Sequence, residues 1–409
     1  MRQTWRWFGP ADTISPTQMR QAGVEGVVTA LHHIPAGQVW SVEEIRKRQA
    51  ELAGADPMGR DAGQPMAWEV VESLPVSEEI KRKGPRFAEH VAAYKDSLRN
   101  LVACGLEVIC YNFMPILDWT RTELRRTMPH GGSAMSFDLV DFAMFDIHLL
   151  ARAGAAEEHG PEIAGAAAER LAATTPAHHA ELVDNIVKGL PGAMESWGLD
   201  ELRAGLAAYD GISPERLFGN LVDFLSEVAP LAEELGLRLC CHPDDPPFPL
   251  MGLPRIMSTR ADYARLMNAV DLPANGITFC TGSLGVRAEF DGPGFVRALG
   301  PRIHFAHLRN TTRHAPANGQ GTSFYEAAHL EGDTDMAGTV LALMDEEARR
   351  REEGRADWQI PMRPDHGQDL LDDLERAAMP GYPLIGRMRG LAELRGIMAA
   401  HGARAARAG

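Results

Sequence analysis

Apolar residues along this chain gather in short blocks separated by longer segments with helical periodicity. Val27-Val28-Thr29-Ala30-Leu31 is a compact run rich in β-branched residues, bounded by Gly26 and by His32-His33-Ile34-Pro35, and it predicts a first strand over 27–31. Similar blocks over 68–73, 107–113, 237–241, 276–281, 303–308, 324–329 and 360–363 predict strands two to eight. Helical sequence lies between them. Ser41 with Glu44 three residues later has the form of a capping box, and Ser213-Pro214-Glu215 starts a helix with serine as cap and proline in the first turn. Val91, Tyr94, Leu98 and Leu101 share one face of a segment from Phe87 to Ala103, as do Leu217, Leu221, Phe224, Leu225 and Val228 of the later one. Further helices are predicted over 259–270, 294–299, 336–351 and 386–400, the last burying Leu391, Leu394 and Ile397.

Eight strands, each followed by helical sequence, predict an α/β fold: a (β/α)8 TIM barrel formed by residues 1–409 as a single domain. No Gly-x-Gly-x-x-Gly follows the first strand, which speaks against a dinucleotide-binding sheet. Residues 118–211 interrupt the alternation after predicted strand three. They are mainly helical in pattern, and an insertion at the C-terminal end of a barrel strand stands where a lid would stand.

Composition narrows the function classes. With 41 basic and 56 acidic residues the formal net charge is −15, and no long basic run offers a nucleic-acid surface. Met1 to Trp7 lacks the apolar core of a signal peptide, no apolar run is long enough to span a bilayer, and the five cysteines are an odd, scattered set. A soluble cytoplasmic enzyme with reduced thiols is the expectation, with a homo-oligomer, dimer or larger, as its assembly.

Candidate chemistry sits at the strand ends. Ile360-Pro361-Met362-Arg363-Pro364-Asp365-His366-Gly367 passes from a buried run to an acid, a base and a guanidinium. Cys240-Cys241-His242-Pro243-Asp244, Phe279-Cys280-Thr281-Gly282 and His304-Phe305-Ala306-His307-Leu308-Arg309 end in the same manner. One ligand-type residue from each of four strands, His242, Cys280, His307 and Asp365, would converge on the C-terminal face of a barrel. Imidazole, thiolate and carboxylate together suit Fe(II), Mn(II), Co(II) or Zn(II) rather than Mg or Ca. Each residue also has an ordinary alternative: a strand cap, a small buried hydrophobe, a satisfied core histidine, a turn former. His366 is a candidate general acid or base, and Tyr382 in Gly381-Tyr382-Pro383 could bring a phenol to the site. Arg309 and Arg363 could grip a carboxylate. Asn112, Trp119, Arg121, His130, Asp244 and His314 are weaker candidates for polar or lid contacts, each as readily structural.

Trp5-Arg6-Trp7-Phe8-Gly9-Pro10, Gly26 to Leu31, Cys110-Tyr111-Asn112-Phe113-Met114-Pro115-Ile116-Leu117-Asp118-Trp119-Thr120-Arg121, Cys241 to Pro247, Cys280-Thr281-Gly282-Ser283, His307-Leu308-Arg309, Met362 to Gly367 and Gly381-Tyr382 together resemble the mannonate dehydratase family of hexuronate catabolism, a metal-dependent barrel family related in fold to xylose isomerase-like proteins. The resemblance covers almost the whole chain. It implies Mn(II) or Fe(II) at His242, Cys280, His307 and Asp365, acid and base roles for His366 and Tyr382, and dehydration of D-mannonate to 2-keto-3-deoxy-D-gluconate. Two departures from the family pattern are a longer segment from Ala55 to Pro65, expected to matter only at the surface, and an Ala/Arg-rich C-terminus. Bottom-up, loss of water from a sugar acid needs a base for the C2 proton, an acid for the departing C3 hydroxyl and positive charge near the carboxylate. Which of His366 and Tyr382 is base and which acid stays open. The alternatives are a metal-dependent sugar isomerase or epimerase on the same barrel, a catalytically silent sugar-acid binder, and a structural zinc protein.

Overall fold

A computed structural model describes residues 1–53, 66–117, 119–187, 198–319 and 321–408, with side chains to residue 403. The predicted long segment over 55–65 lies outside the described residues. Among the described residues, twelve strands form two sheets. In chain order they are β1 (Arg2–Arg6), β2 (Gly26–Thr29), β3 (Ala67–Glu72), β4 (Val108–Tyr111), β5 (Glu123–Thr127), β6 (Ser133–Phe137), β7 (Arg238–Cys241), β8 (Asn275–Cys280), β9 (Ile303–His307), β10 (Asn310–Ala317), β11 (Thr322–Ala327) and β12 (Pro361–Arg363). Eight of them close a parallel barrel in the order β1-β12-β9-β8-β7-β4-β3-β2, and β10-β11-β6-β5 form a separate antiparallel sheet.

The barrel is therefore present, but its eight strands are not the eight predicted. β1 was missed because Arg2, Gln3 and Arg6 break any apolar pattern; it is a barrel strand through its pairing with β2 and β12, which buries Thr4 and Trp5 completely. The block at 324–329 falls in β11, outside the barrel. β10 and β11 are an antiparallel pair separated by a short turn, while a parallel strand after β9 needs a crossover of about a dozen residues or more. The insertion over 118–211 accordingly follows the fourth barrel strand rather than the third. It is not purely helical, since it supplies β5 and β6, and β6 pairs with β11.

Period-two alternation divides each barrel strand between two environments. Val28, Val70, Val108, Cys110, Cys240 and Phe305 fill the barrel interior as one small cluster. Their chain neighbours Val27, Val71, Ile109, Leu239, Cys241 and Ala306 face the surrounding helices. Helices Phe87–Ala103, Pro214–Glu234, Met336–Glu352 and Leu384–Ala408 supply that outer layer with the apolar faces expected of them, including Tyr94, Leu98, Leu221, Phe224, Val340, Leu391 and Leu394. Ser213 caps helix Pro214–Glu234 by accepting from the Arg216 N–H at 3.2 Å. A second apolar cluster, with Phe137, Phe142, Phe145, Ile186, Phe248 and Phe324, joins the insertion to the antiparallel sheet.

Candidate active site

Two residues beyond an interior position, a strand leaves the filled lumen while its side chain still points inward. That rule places the site. Glu72 follows Val70, Asn112 follows Cys110, His242 follows Cys240, Cys280 follows Thr278, and His307 follows Phe305. β1 contributes Arg6 by the same step from Thr4, whose hydroxyl donates to the Met362 carbonyl at 2.9 Å. One pocket at this end of the barrel is lined by Arg6, Glu72, Ser73, Asn112, Met114, Trp119, His242, Asp245, Arg309, Arg363, Asp365, His366 and Tyr382.

His242 belongs also to a cluster in its wall: ligand atoms of His242, Cys280 and His307 lie within 4.8 Å of one another, a set that can hold a metal ion. The hydrogen bonds orient each donor. His242 Nδ1–H donates to the Pro243 carbonyl at 2.7 Å, which leaves Nε2 with a lone pair, 3.2 Å from His307 Nδ1. His307 Nε2 lies 3.5 Å from Glu72 Oε2, and with its proton there Nδ1 is a second lone pair facing the first. Arg363 Nη2 reaches that nitrogen only at 3.5 Å. Two facing acceptors repel unless a cation or proton lies between them. Two nitrogens each about 2.1 Å from one ion would stand about 3.0–3.4 Å apart, so the spacing fits a shared metal. Cys280 Sγ is fixed by the Ser283 N–H at 3.4 Å and the Ser283 hydroxyl at 3.2 Å. Asp365 is at the edge of this group: its Oδ2 is 3.7 Å from Cys280 Sγ and 3.4 Å from Arg309 Nη1, while Oδ1 is bonded by Arg363. Asp365 adopts a left-handed backbone conformation with φ 62°, which aspartate tolerates better than most residues. Burial alone would raise its pKa, but Arg363, His366, His307 and Arg309 hold it well below the usual carboxylate range.

His366 and Tyr382 form a second unit. Their rings meet edge to face at 5.0 Å, with His366 Nε2 3.3 Å from the Tyr382 hydroxyl. On the other side of the imidazole, Nδ1 has both a donor, Arg309 Nη1 at 3.1 Å, and an acceptor, Glu326 Oε1 at 3.2 Å. Either tautomer is thereby satisfied, so the ring can take a proton from the phenol side or deliver one to it. Burial pushes the Tyr382 phenol up to about 12, against the opposing pull of Arg363. The Gly367 N–H donates to the Gly381 carbonyl at 3.0 Å and ties the two loops together. Gly381 has φ 78°, and a Cβ there would stand 2.2 Å from Met135 Cε, so the turn that presents Tyr382 requires glycine.

The arginines proposed for substrate are already occupied by protein carboxylates. Arg363 makes a two-bond fork with Glu72, at 3.0 and 2.8 Å, besides its bond to Asp365. Arg309 contacts Asp245 at 2.8 Å, Glu326 at 3.2 Å and Asp365 at 3.4 Å. Arg121 does not line the pocket; it lies behind Trp119, Cζ 5.3 Å from that ring, and bonds Asp245 at 2.9 Å and Glu326 at 2.8 Å. Burial would raise Glu326 too, yet Arg309, His366 and Arg121 bring it down to about 2. Asn112 and Trp119 do line the pocket. His314 does not: it sits on β10 with Nε2 accepting from Arg126 at 3.0 Å. His130 is in the β5–β6 turn, 3.0 Å from Gln368, and Asp244 braces a loop by accepting from the Met257 N–H and the Ser258 hydroxyl. Sequence reasoning missed Arg6, Glu72, Asp245 and Glu326. Glu72 carried the same signal as the others, an ionisable group ending an apolar strand. Arg6 was hidden with the strand that bears it.

Gly282 shows how tightly this is packed. A Cβ there would fall 1.9 Å from Arg309 Nε, on a guanidinium held by three carboxylates. Gly282→Ala is expected to cost about 1–3 kcal/mol of stability and to lower activity. The denaturation midpoint reads this, and an unchanged midpoint would show that Arg309 can give way.

Fold and site thus define a (β/α)8-barrel protein with three donors able to hold a metal ion at the C-terminal mouth of its barrel, beside a histidine–tyrosine pair. The chain belongs to the family described as D-mannonate dehydratase (UxuA), which it matches over residues 1–407. It is 54% identical over 397 residues to the mannonate dehydratase of Rhizobium meliloti (strain 1021), covering 97% of this chain and 96% of that protein. With the mannonate dehydratase of Chromohalobacter salexigens it shares 49% identity over 399 residues, 97% of this chain and 98% of the relative. The crystal structure of mannonate dehydratase from Streptococcus suis serotype 2 superposes with a TM-score of 0.73 at 30% identity, covering 99% of this chain and 95% of that one.

Proposed function

We propose that this chain is a hydro-lyase that dehydrates D-mannonate to 2-keto-3-deoxy-D-gluconate and water in glucuronate catabolism. The observation that carries the reading is that the His366–Tyr382 pair lines the same pocket as His242, one of the three clustered donors His242, Cys280 and His307. The metal would be Mn(II) or Fe(II), held by those three residues with Asp365 beside them. When bound it would supply positive charge for the enediolate that forms as C2 loses its proton. The pair does the proton work. One member takes the C2 proton, the other protonates the C3 hydroxyl so that it leaves as water, and the resulting enol tautomerises to the 2-keto acid. Burial lowers the pKa of His366 and raises that of Tyr382, which favours the neutral imidazole, able to take a proton, and the neutral phenol, able to give one.

Residues 118–211 would serve as a cover within a single domain, a reading supported by Trp119 in the pocket wall and by the tie of Arg121 to Asp245. No helix among the described residues is long and apolar enough to cross a membrane, consistent with a cytoplasmic site of action. The partners would be the sugar acid and further copies of the chain, with no nucleic acid. The deciding experiment is formation of 2-keto-3-deoxy acid from D-mannonate before and after chelation. Activity should vanish with chelator and return with Mn(II) or Fe(II); full turnover by metal-free protein, or an isomerised product without loss of water, would sink the reading.

A further inference from the structure

The two places a proton can occupy on a neutral His366 imidazole make different demands on its neighbours. Nδ1 lies 3.2 Å from Glu326 Oε1 and 3.1 Å from Arg309 Nη1, while Nε2 lies 3.3 Å from the Tyr382 hydroxyl. A proton on Nδ1 is donated to Glu326, and Nε2 then carries the lone pair that accepts from the phenol O–H. A proton on Nε2 must be donated to the phenol oxygen, whose own hydrogen then has no acceptor among the described residues. It also turns the Nδ1 lone pair toward Glu326 Oε1, acceptor against acceptor. Glu326 cannot relieve that contact by donating. Burial would raise its pKa, but Arg309, His366 and Arg121 hold it down to about 2, so it is ionised and only accepts. Arg309 favours the Nε2 proton, yet it has ion pairs with Asp245, Glu326 and Asp365 in either case. Asp365 Oδ1, 3.8 Å from Nε2, is beyond hydrogen-bond reach. Buried polar groups settle where all of them find partners, and here that is with the proton on Nδ1.

Glu326 reaches the ring from outside the barrel. It lies on β11 opposite Thr311 of β10, and the two residues before it, Phe324 and Tyr325, pair with Phe137 and Ser136 of β6. Its backbone carbonyl accepts from Gln368 Nε2 at 3.0 Å, two residues after His366, so one residue braces the imidazole-bearing loop with both backbone and side chain. Oε1 is held in addition by Arg121 Nη2 at 2.8 Å, and Glu326 is 1% exposed. The pocket wall includes His366, Tyr382 and Arg309 but not Glu326. Whatever Glu326 does to a sugar acid, it does through another residue.

We propose that Glu326 is a positioning residue that holds the proton of the neutral His366 ring on Nδ1 and so leaves Nε2 as the acceptor of the Tyr382 O–H. The inference rests on the proton-transfer reading of this pair given above. It sets the direction of exchange within the pair: the phenol O–H bond breaks, the N–H bond forms at Nε2, and the carboxylate stands against the positive charge the ring then gains. A purely structural role, neutralising Arg309 and Arg121, would leave the tautomer to chance and act on the pocket through Arg309.

Neutron diffraction from crystals of the perdeuterated full-length protein, loaded with Mn(II) near neutral pH, reads the proton position directly. The expected result is a deuteron on Nδ1 of His366, none on Nε2, and the Tyr382 deuteron aimed at Nε2. A deuteron on Nε2, with or without one on Nδ1, overturns the inference. Glu326→Gln tests the consequence. Its kcat for D-mannonate should fall at least about tenfold while KM stays within about twofold of wild type, because the pocket wall is kept and the tautomer is not. A folded Glu326→Gln protein with wild-type kcat overturns the role. So does a rise in KM that matches the fall in kcat, since it would mark Glu326 as a support of Arg309. If the glutamine variant does not fold, the deuteron position in wild type decides. Wild-type protein that leaves D-mannonate intact brings down the functional reading instead, and the two failures are told apart because the diffraction result does not depend on turnover.

Discussion

His366→Asn and Tyr382→Phe should each lower turnover of D-mannonate by about 10²–10⁴, the range in which a positioned acid or base contributes. Both substitutions keep shape and remove only proton transfer. Asparagine can still bond Arg309 or Glu326, and phenylalanine can still pack edge-on against Phe8. Metal content, read by elemental analysis, should stay at the wild-type level, since His242, Cys280 and His307 are untouched. Each proton acceptor or donor is buried, so solvent has no ready route to replace it. Tyr382 is 4% exposed and His366 3% exposed. Turnover within a few fold of wild type in either variant would remove that residue from the chemistry. Loss of metal along with activity would instead place it among the supports of the cluster.

Asp245→Asn should produce the largest loss of stability. This carboxylate accepts from Arg121 at 2.9 and 3.3 Å, from Arg309 at 2.8 Å and from the Ser283 hydroxyl at 3.1 Å, and is 2% exposed. Neutralising it leaves two buried guanidinium groups sharing only Glu326 and Asp365. Breaking a buried pair by removing one partner costs about 3–5 kcal/mol. Chemical denaturation measures it, and a change below about 1 kcal/mol would mean that water or a moved side chain takes the place of the charge. The pH dependence has a definite sign. Burial raises Asp245, but Arg121 and Arg309 outweigh it and depress its pKa. Its contribution is therefore complete above the ordinary carboxylate range and is lost as pH falls through the depressed value. Wild type should lose this stability in acid, and Asp245→Asn should show a flatter profile there.

The arginines mark where sequence and structure part. Arg309 and Arg363 follow strand ends and look available for a substrate carboxylate. Their real partners, Asp245, Glu326 and Glu72, come from distant segments. A guanidinium is free or occupied according to what the fold brings beside it, and no local pattern records that. β11 makes the same point for the backbone. Its alternation is that of a strand, and strand it is, but whether a strand joins the barrel depends on the length of chain available to cross over.

The sequence alone determined the parallel barrel, through seven apolar blocks that became barrel strands, and it determined which residues end those strands. Alternation put His307 on the side of Phe305 and Cys280 on the side of Thr278, because a strand has only two faces and one of them was buried in the lumen. It also marked His366 and Tyr382. Only the tertiary structure decided that β1 closes the barrel and that Glu72, Asp245 and Glu326 neutralise the arginines. The physical reason is one of range. Strand faces and helix caps are written in neighbouring residues, while charge pairing and closure join residues as far apart as Glu72 and Arg363.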